Sequence, residues 1–219
     1  MEKNVVVFGG TGLIGNLLIE LLSEDTYFDS IKVYTRRPTH ISFPKIKNEV
    51  LDFSDRSSFE KGIEKDDIVF SALGTTQSKV KRDKKVYRSI DFDMCLNIGK
   101  ACKVKNASSF LFVSSSGANA SSSNFYLKLK GEIENAVLAL NLPNTQIVRP
   151  SLLLGSRKEY RLGERIAQYI MPKISFLFPP SMKPISALQV AKVLIDLSKK
   201  GNLSNTKIIE NNTLLRYKV

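Results

Sequence analysis

Residues 4–22, NVVVFGGTGLIGNLLIELL, constrain this chain more tightly than any other stretch. Val5 to Phe8 form a continuous apolar run, the pattern of a parallel strand buried on both faces. Glycines at 9, 10, 12 and 15 interrupt it, and Leu13, Ile14, Leu17, Leu18, Leu21 and Leu22 then recur at helical spacing. A strand passing through a glycine turn into an amphipathic helix makes a phosphate cradle. Gly9 permits the tight turn, Gly12 lets a pyrophosphate approach the backbone at the helix N-terminus, and Gly15 lets the helix lie close to the strand. The first gap is one residue longer than in the GxGxxG form. Its position, directly after a strand and opening a helix, is the context that gives such a motif meaning. The stretch predicts a dinucleotide site.

The same alternation of strand and helix continues along the chain. Ile31 to Thr35 reads as a second strand, Val50-Leu51 as a short third one, and Asp67 to Leu73 as a fourth, buried one. A long helix is expected from about Lys84 to Lys103 with an interruption near Asp91, then a fifth strand, Phe110 to Val113, and a sixth, Gln146 to Val148. Such alternation implies a doubly wound α/β fold with a parallel sheet flanked by helices. The 219 residues are most simply one domain, 1–219, with 149–219 as a small substrate-side segment inside it.

The second strand ends in Thr35, Arg36 and Arg37, where an NAD-binding protein would carry an acid for the ribose 2′-hydroxyl. No acid stands there. Two guanidiniums suit a 2′-phosphate through paired, charge-assisted hydrogen bonds, so NADP (as NADPH) is favoured over NAD. Asp52 and Phe53, after the third strand, could line an adenine pocket or form an ordinary turn, with Ser54 or Asp55 capping a short helix. Leu73, Gly74, Thr75 and Thr76 end the fourth strand, and small residues there let the backbone pass close to a cofactor.

Thirty-three Lys and Arg against 21 Asp and Glu leave a formal charge of +12. Such an excess suits nucleic acid, acidic membranes or anionic ligands. The lysines are spread along the chain, however, and the one dense run, KVKRDKK at 79–85, reads as a solvated face or loop, so no nucleic-acid partner is expected. No apolar run reaches the ~20 residues that span a bilayer. MEKNVVVF carries no cleavable signal pattern, which makes the cytosol the expected compartment. Cys95 and Cys102 share a helix about 10 Å apart along its axis, too far for a disulfide. With His40 as the single histidine, no metal site is expected.

After the fifth strand comes Ser114-Ser115-Ser116, and then SSSNFYLKLKGEIENAVLAL, a helix capped within its serine run. Tyr126 and Lys130 lie four apart, hence on one helix face near its start. There the helix dipole and the lysine charge favour tyrosinate, the help a phenol needs for acid–base work near neutral pH. A nearby serine hydroxyl could hold a substrate carbonyl.

GGTGLIG, the serine-rich strand end and YxxxK together resemble the short-chain dehydrogenase/reductase superfamily. LGTT at 73–76, SSNFYLKLKGEIE at 122–134 and VRPSLLLGSRKEYRLGE at 148–164 are similar to its atypical, Tat-interacting-protein-like branch. The similarity covers nearly the whole chain. It implies a Rossmann fold, NADPH binding and a Ser–Tyr–Lys reductase site. In that reading Tyr126 is the proton donor, and Lys130 binds the nicotinamide ribose and lowers the tyrosine pKa. Ser115 best fits the catalytic serine, with Ser114 and Ser116 competing, and Asn97 is the helix-bending asparagine. The implied cofactor contacts are Gly9, Thr11, Gly12, Leu13, Ile14 and Gly15 at the turn, with Arg36 and Arg37 on the 2′-phosphate. Asp52, Phe53, Leu73, Gly74, Thr75, Lys130 and Pro150 complete the set.

The segment after Arg149 supplies the substrate side. Arg157, Lys158 and Arg161 read equally as a basic lid or a solvated helix start. FLFPP at 176–180 is a substrate wall, a dimer contact or core. Pro184 to Ser186 start a last amphipathic helix with Ser186 or a neighbour as cap, and Lys207 to Ile209 are a candidate edge strand. The cleft is expected to be shallow. Two functions are compatible with these residues: an NADPH-dependent oxidoreductase acting on a small-molecule carbonyl, or an NADPH-binding regulator that engages a protein partner with little or no turnover. The two long helices after the fourth and fifth strands offer a surface for a homodimer.

Overall fold

A computed structural model describes residues 2–75, 80–155, 179–200 and 206–218. Its first strand, β1 (Asn4–Phe8), is the centre of the sheet. Val5 and Val7 enter one hydrophobic core and Val6 and Phe8 the other, which is why the run is apolar throughout. Around it pair β2 (Ser30–Thr35), β3 (Ile46–Val50), β4 (Ile68–Ser71), β5 (Ser109–Val113), β6 (Thr145–Arg149) and β9 (Lys207–Glu210). They form a seven-stranded sheet in the order β3-β2-β1-β4-β5-β6-β9, every pairing parallel. A second, two-residue ladder joins β7 (Leu153–Leu154) to β8 (Ile185–Ser186).

Helices cover both faces, giving the Rossmann-like α/β architecture. On one side α1 (Leu13–Glu24) and α6 (Ala187–Lys199) pack on Val5, Val7, Ile31 and Leu111, with Leu214 of α7 (Asn211–Arg216) beside them. On the other, α2 (Arg56–Gly62), α4 (Met94–Lys105) and α5 (Phe125–Leu138) cover Val6, Phe8, Val69 and Phe112. The strand order reverses between β1 and β4, so the crevice of a doubly wound sheet opens at their carboxyl ends.

Several local expectations are adjusted. The third strand runs Ile46–Val50, earlier than Val50-Leu51, because an edge strand reading IKNEV has no apolar run to betray it. Asp55 caps α2 through Ser57 N. The long helix is indeed interrupted at Asp91: α3 (Lys84–Arg88) passes into a π-helical turn, Ser89–Asp93, before α4. The irregularity lies there and not at Asn97, which sits in regular α4. The cap of α5 is Asn124, not a serine, and its side chain accepts from the amides of Tyr126 and Leu127. Ser186 caps α6, and β9 forms the sheet edge. In the basic run Asp83 caps α3 and Val80 is buried, while Lys81 and Arg82 are exposed with left-handed backbone. Thr76, Arg157, Lys158, Arg161 and residues 176–178 lie outside the described residues.

Candidate functional site

The glycine turn is built by close approach. Gly9 has φ +87°, and a Cβ there would lie 2.6 Å from the Ala72 carbonyl carbon at the end of β4. A Cβ on Gly15 would overlap the Gly9 carbonyl oxygen, so helix and turn touch backbone to backbone. The Gly12 amide donates to Gly9 O at 2.9 Å. Gly12 also caps α1 without a side-chain bond, and the first turn carries no acid. Open amides and the positive helix end are left facing the crevice, a fit for a pyrophosphate. Thr11 is exposed beside them, whereas the side chains of Leu13 and Ile14 turn to the apolar core, leaving only their backbone to serve a ligand.

In front of the turn opens a cavity of about 610 Å³, lined by Gly9 to Gly12, Thr35 to Arg37 and Leu73 to Thr75 among others. Arg36 and Arg37 are exposed at its rim, and Thr35 Oγ1 donates to the Arg37 carbonyl at 2.8 Å, holding the bend that carries them. A second cavity of about 690 Å³ shares Arg36 and Phe53 and adds Asp52, Asp93 and Asn97. Phe53 is mostly core, stacked edge-on to Phe8 and Phe59 with only its rim exposed to both cavities. Asp52 accepts from the amide and hydroxyl of Ser54, and that hydroxyl bond holds its carboxyl below the usual range. The volume, the arginines and the glycine cradle together fit a dinucleotide.

At the β5 end the three serines have different partners. Ser114 Oγ donates to Glu134 Oε1, a buried carboxylate of α5 that also receives Arg149, with Nε at 3.0 Å. Arg149 in turn reaches Glu210 of β9 at 2.6 Å. Ser116 Oγ donates to the Ser181 carbonyl at 2.7 Å. Among the described residues Ser115 makes a single long contact, 3.3 Å, to the carbonyl of Ser116, so its hydroxyl is the least committed of the three. Pro150 is buried, and its carbonyl accepts from Ser116 N at 2.9 Å.

Tyr126 and Lys130 do share one face of α5. Lys130 is buried, with Nζ 5.9 Å from the Tyr126 ring centre. The lysine is also spoken for: Nζ lies 2.8 Å from Asp91 Oδ1, an acid read from sequence only as a break in a helix. Burial pushes the Lys130 pKa down, but the neighbouring groups, the Asp91 carboxylate foremost, push it up and leave the lysine above its ordinary range. Among the described residues no His, Cys, Asp or Glu group is arranged to hold a metal ion, and no helix is long and apolar enough to cross a membrane.

Sheet, glycine cradle and groove define an NAD(P)-binding Rossmann protein. A family model described as NAD(P)H-binding matches residues 9–199. The chain belongs to that family, as an atypical short-chain dehydrogenase/reductase of the Tat-interacting-protein-like branch. It is 36% identical over 202 residues to "Protein FMP52, mitochondrial" of Candida albicans, spanning 89% of this chain and 87% of that protein. It is 27% identical over 217 residues to Protein HTATIP2 of Rattus norvegicus, spanning 98% of this chain and 88% of that one. Among solved structures it is similar in fold to a UDP-N-acetylglucosamine 4-epimerase from Bacillus cereus, with TM-score 0.69, 18% identity, and 95% and 78% of the two chains covered. MoeE5 in complex with UDP-glucose and NAD gives TM-score 0.73 at 12% identity, over 98% and 80%. The expected cytosolic address is overturned by these comparisons, because relatives from several yeasts carry mitochondrial names.

Proposed function

We propose that the chain is an NADPH-dependent oxidoreductase that reduces a carbonyl compound. The observation that carries this reading is Tyr126 with Lys130 on one helix face, beyond the same carboxyl edge of the sheet where the glycine cradle opens. Gly9, Gly12 and the first amides of α1 would hold the pyrophosphate, Arg36 and Arg37 the 2′-phosphate, and Leu73 to Thr75 the groove wall. When bound there, NADPH supplies a hydride. Tyr126 Oη would deliver the proton to the carbonyl oxygen, Ser115 Oγ would donate a hydrogen bond to that oxygen, and the Lys130 charge would favour proton release from the phenol. Ser114 and Ser116 would serve structure, each being held by another group.

Two arginines and no acid at the end of β2 support NADPH over NADH. The mitochondrial names of the relatives support a mitochondrial location, which fractionation of cells expressing the tagged chain would check. The reaction is tested with a carbonyl panel and NADPH. Turnover is expected, and Tyr126→Phe should reduce it by at least about 100-fold. Unchanged turnover in that variant would overturn the mechanism. Tight NADPH binding without turnover on any carbonyl would favour the regulatory role.

A further inference from the structure

The reductase reading makes no use of Asp91, yet the fold invests heavily in placing it. The π-helical turn Ser89–Asp93 turns this acid into the protein, leaving it 4% exposed. Such turns insert a residue into a helix and redirect a side chain that regular geometry would send elsewhere. One oxygen, Oδ1, is 2.8 Å from Lys130 Nζ. The other, Oδ2, accepts from the Thr75 amide at 2.8 Å. Tyr87 of α3 donates its hydroxyl to the Thr75 carbonyl at 3.2 Å, and its ring stands edge-on to Tyr126 at 6.4 Å. Asp91 thus joins the proton-transfer pair on α5 to the wall of the cofactor groove at the end of β4.

Among the described residues, the titratable groups that act on Lys130 come from three elements. Asp91 comes from the π-helical turn, Cys95 from α4, and Tyr126 from α5 itself. Cys95 is buried and stays a neutral thiol at physiological pH, its pKa pushed up to about 12 by burial. Of these groups only Asp91 brings a carboxyl group to Lys130 Nζ, at 2.8 Å. A buried ammonium without an anion loses its proton at a lower pH, because desolvation penalises the charged form.

We propose that Asp91 is a positioning residue for proton transfer: its carboxylate keeps Lys130 charged beside Tyr126 and fixes that charge against the groove wall at Thr75. The consequence for turnover rests on the reductase reading, whereas the charge of Lys130 does not.

The test is NMR of protein carrying lysine labelled with carbon-13 at the ε-carbon, with the Lys130 signal assigned by its loss in Lys130→Met. In the unsubstituted protein this signal should remain that of an ammonium up to pH 10. In Asp91→Asn, which keeps an acceptor for the Thr75 amide and removes the charge, it should titrate at least about two pH units lower. An Asp91→Asn signal that follows the unsubstituted protein would overturn the proposal. Should Asp91→Asn not fold, Asp91→Asn with Lys130→Met decides the matter. The double variant, free of buried charge, should be more stable than Lys130→Met alone, and a double variant no more stable than that single one overturns the pairing. In turnover, the alkaline limb of the pH profile should move down in Asp91→Asn by the same interval as the lysine, and Asp91→Glu should restore it in part. Loss of the Tyr126 effect would sink the reductase reading, while the lysine titration would still decide the role of Asp91.

Discussion

Gly15, packed behind the glycine turn, and Gly74, which lines the groove, should tolerate a methyl group very differently. At Gly15 a Cβ would overlap Gly9 O, and neither backbone can yield without parting α1 from β1. Gly15→Ala should cost about 1–3 kcal/mol in urea unfolding and weaken NADPH binding with it. At Gly74 the nearest atom to a Cβ is Asp91 Oδ1 at 3.8 Å, ordinary contact distance, so Gly74→Ala should leave stability within about 0.5 kcal/mol. Replacing Arg36 and Arg37 together by Ala should weaken NADPH at least about tenfold in a fluorescence titration and barely change NADH, as expected for charge-assisted bonds to a phosphate. Glu134 is a structural counterpart. It receives Ser114 and Arg149 in a buried site, so Glu134→Ala leaves the Ser114 hydroxyl without its acceptor and Arg149 with Glu210 as its carboxylate partner, and should cost roughly 2 kcal/mol in the same unfolding experiment.

Two stretches beside the β5 carboxyl end are each held by side-chain bonds to backbone. The first turn of α5, which presents Tyr126, is closed by Asn124 accepting from two amides. Asn124→Ala should therefore lower stability by about 1 kcal/mol, a Tm decrease of roughly 2–4 °C, while Asn124→Asp should hold it, as read by thermal unfolding. The second is the stretch 180–183, whose four consecutive carbonyls are captured by side chains from elsewhere. Asn211 Nδ2 takes Pro180 and Lys183, Ser116 takes Ser181, and Ser151 takes Met182. Asn211, fully buried between β9 and α7, also accepts from the Ser151 amide. A strap without sheet bonds of its own over these residues is thereby tied to the serine run and to the end of β6.

Across the described residues, burial makes stability sensitive to alkali. Cys95 and Tyr34 are both raised to about 12 chiefly by burial, from ordinary values of 9.0 and 10.0, and Cys102 is raised further by the same cause. Above about pH 9 the unfolded chain releases these protons while the folded one keeps them, so the unfolded state binds fewer protons and stability falls as pH rises. Below about pH 8 these groups contribute no slope. Urea unfolding at pH 8, 9 and 10 should show the decline, at up to about 1.4 kcal/mol per pH unit for each ionising group, and Cys95→Ala should make it shallower by the share of one such group.

Residues 4–22 alone determined the centre of the sheet, the helix after it and the open amides between them, because glycine spacing and apolar periodicity are local physics. The arginines at the end of β2 and the one-face pairing of Tyr126 with Lys130 were legible for the same reason. The polar edge strand at Ile46–Val50 was misplaced because an edge needs no apolar signature, and the cap of α5 because serine and asparagine compete for that role within one run. What only the tertiary structure decided is how distant residues share charge and hydrogen bonds. It decided that Asp91 meets Lys130, that Ser114 and Ser116 are committed while Ser115 is not, and that Asn211 ties down 180–183. Those partners lie up to 65 residues apart, and no periodicity along a chain encodes which side chains a parallel sheet will bring to one edge.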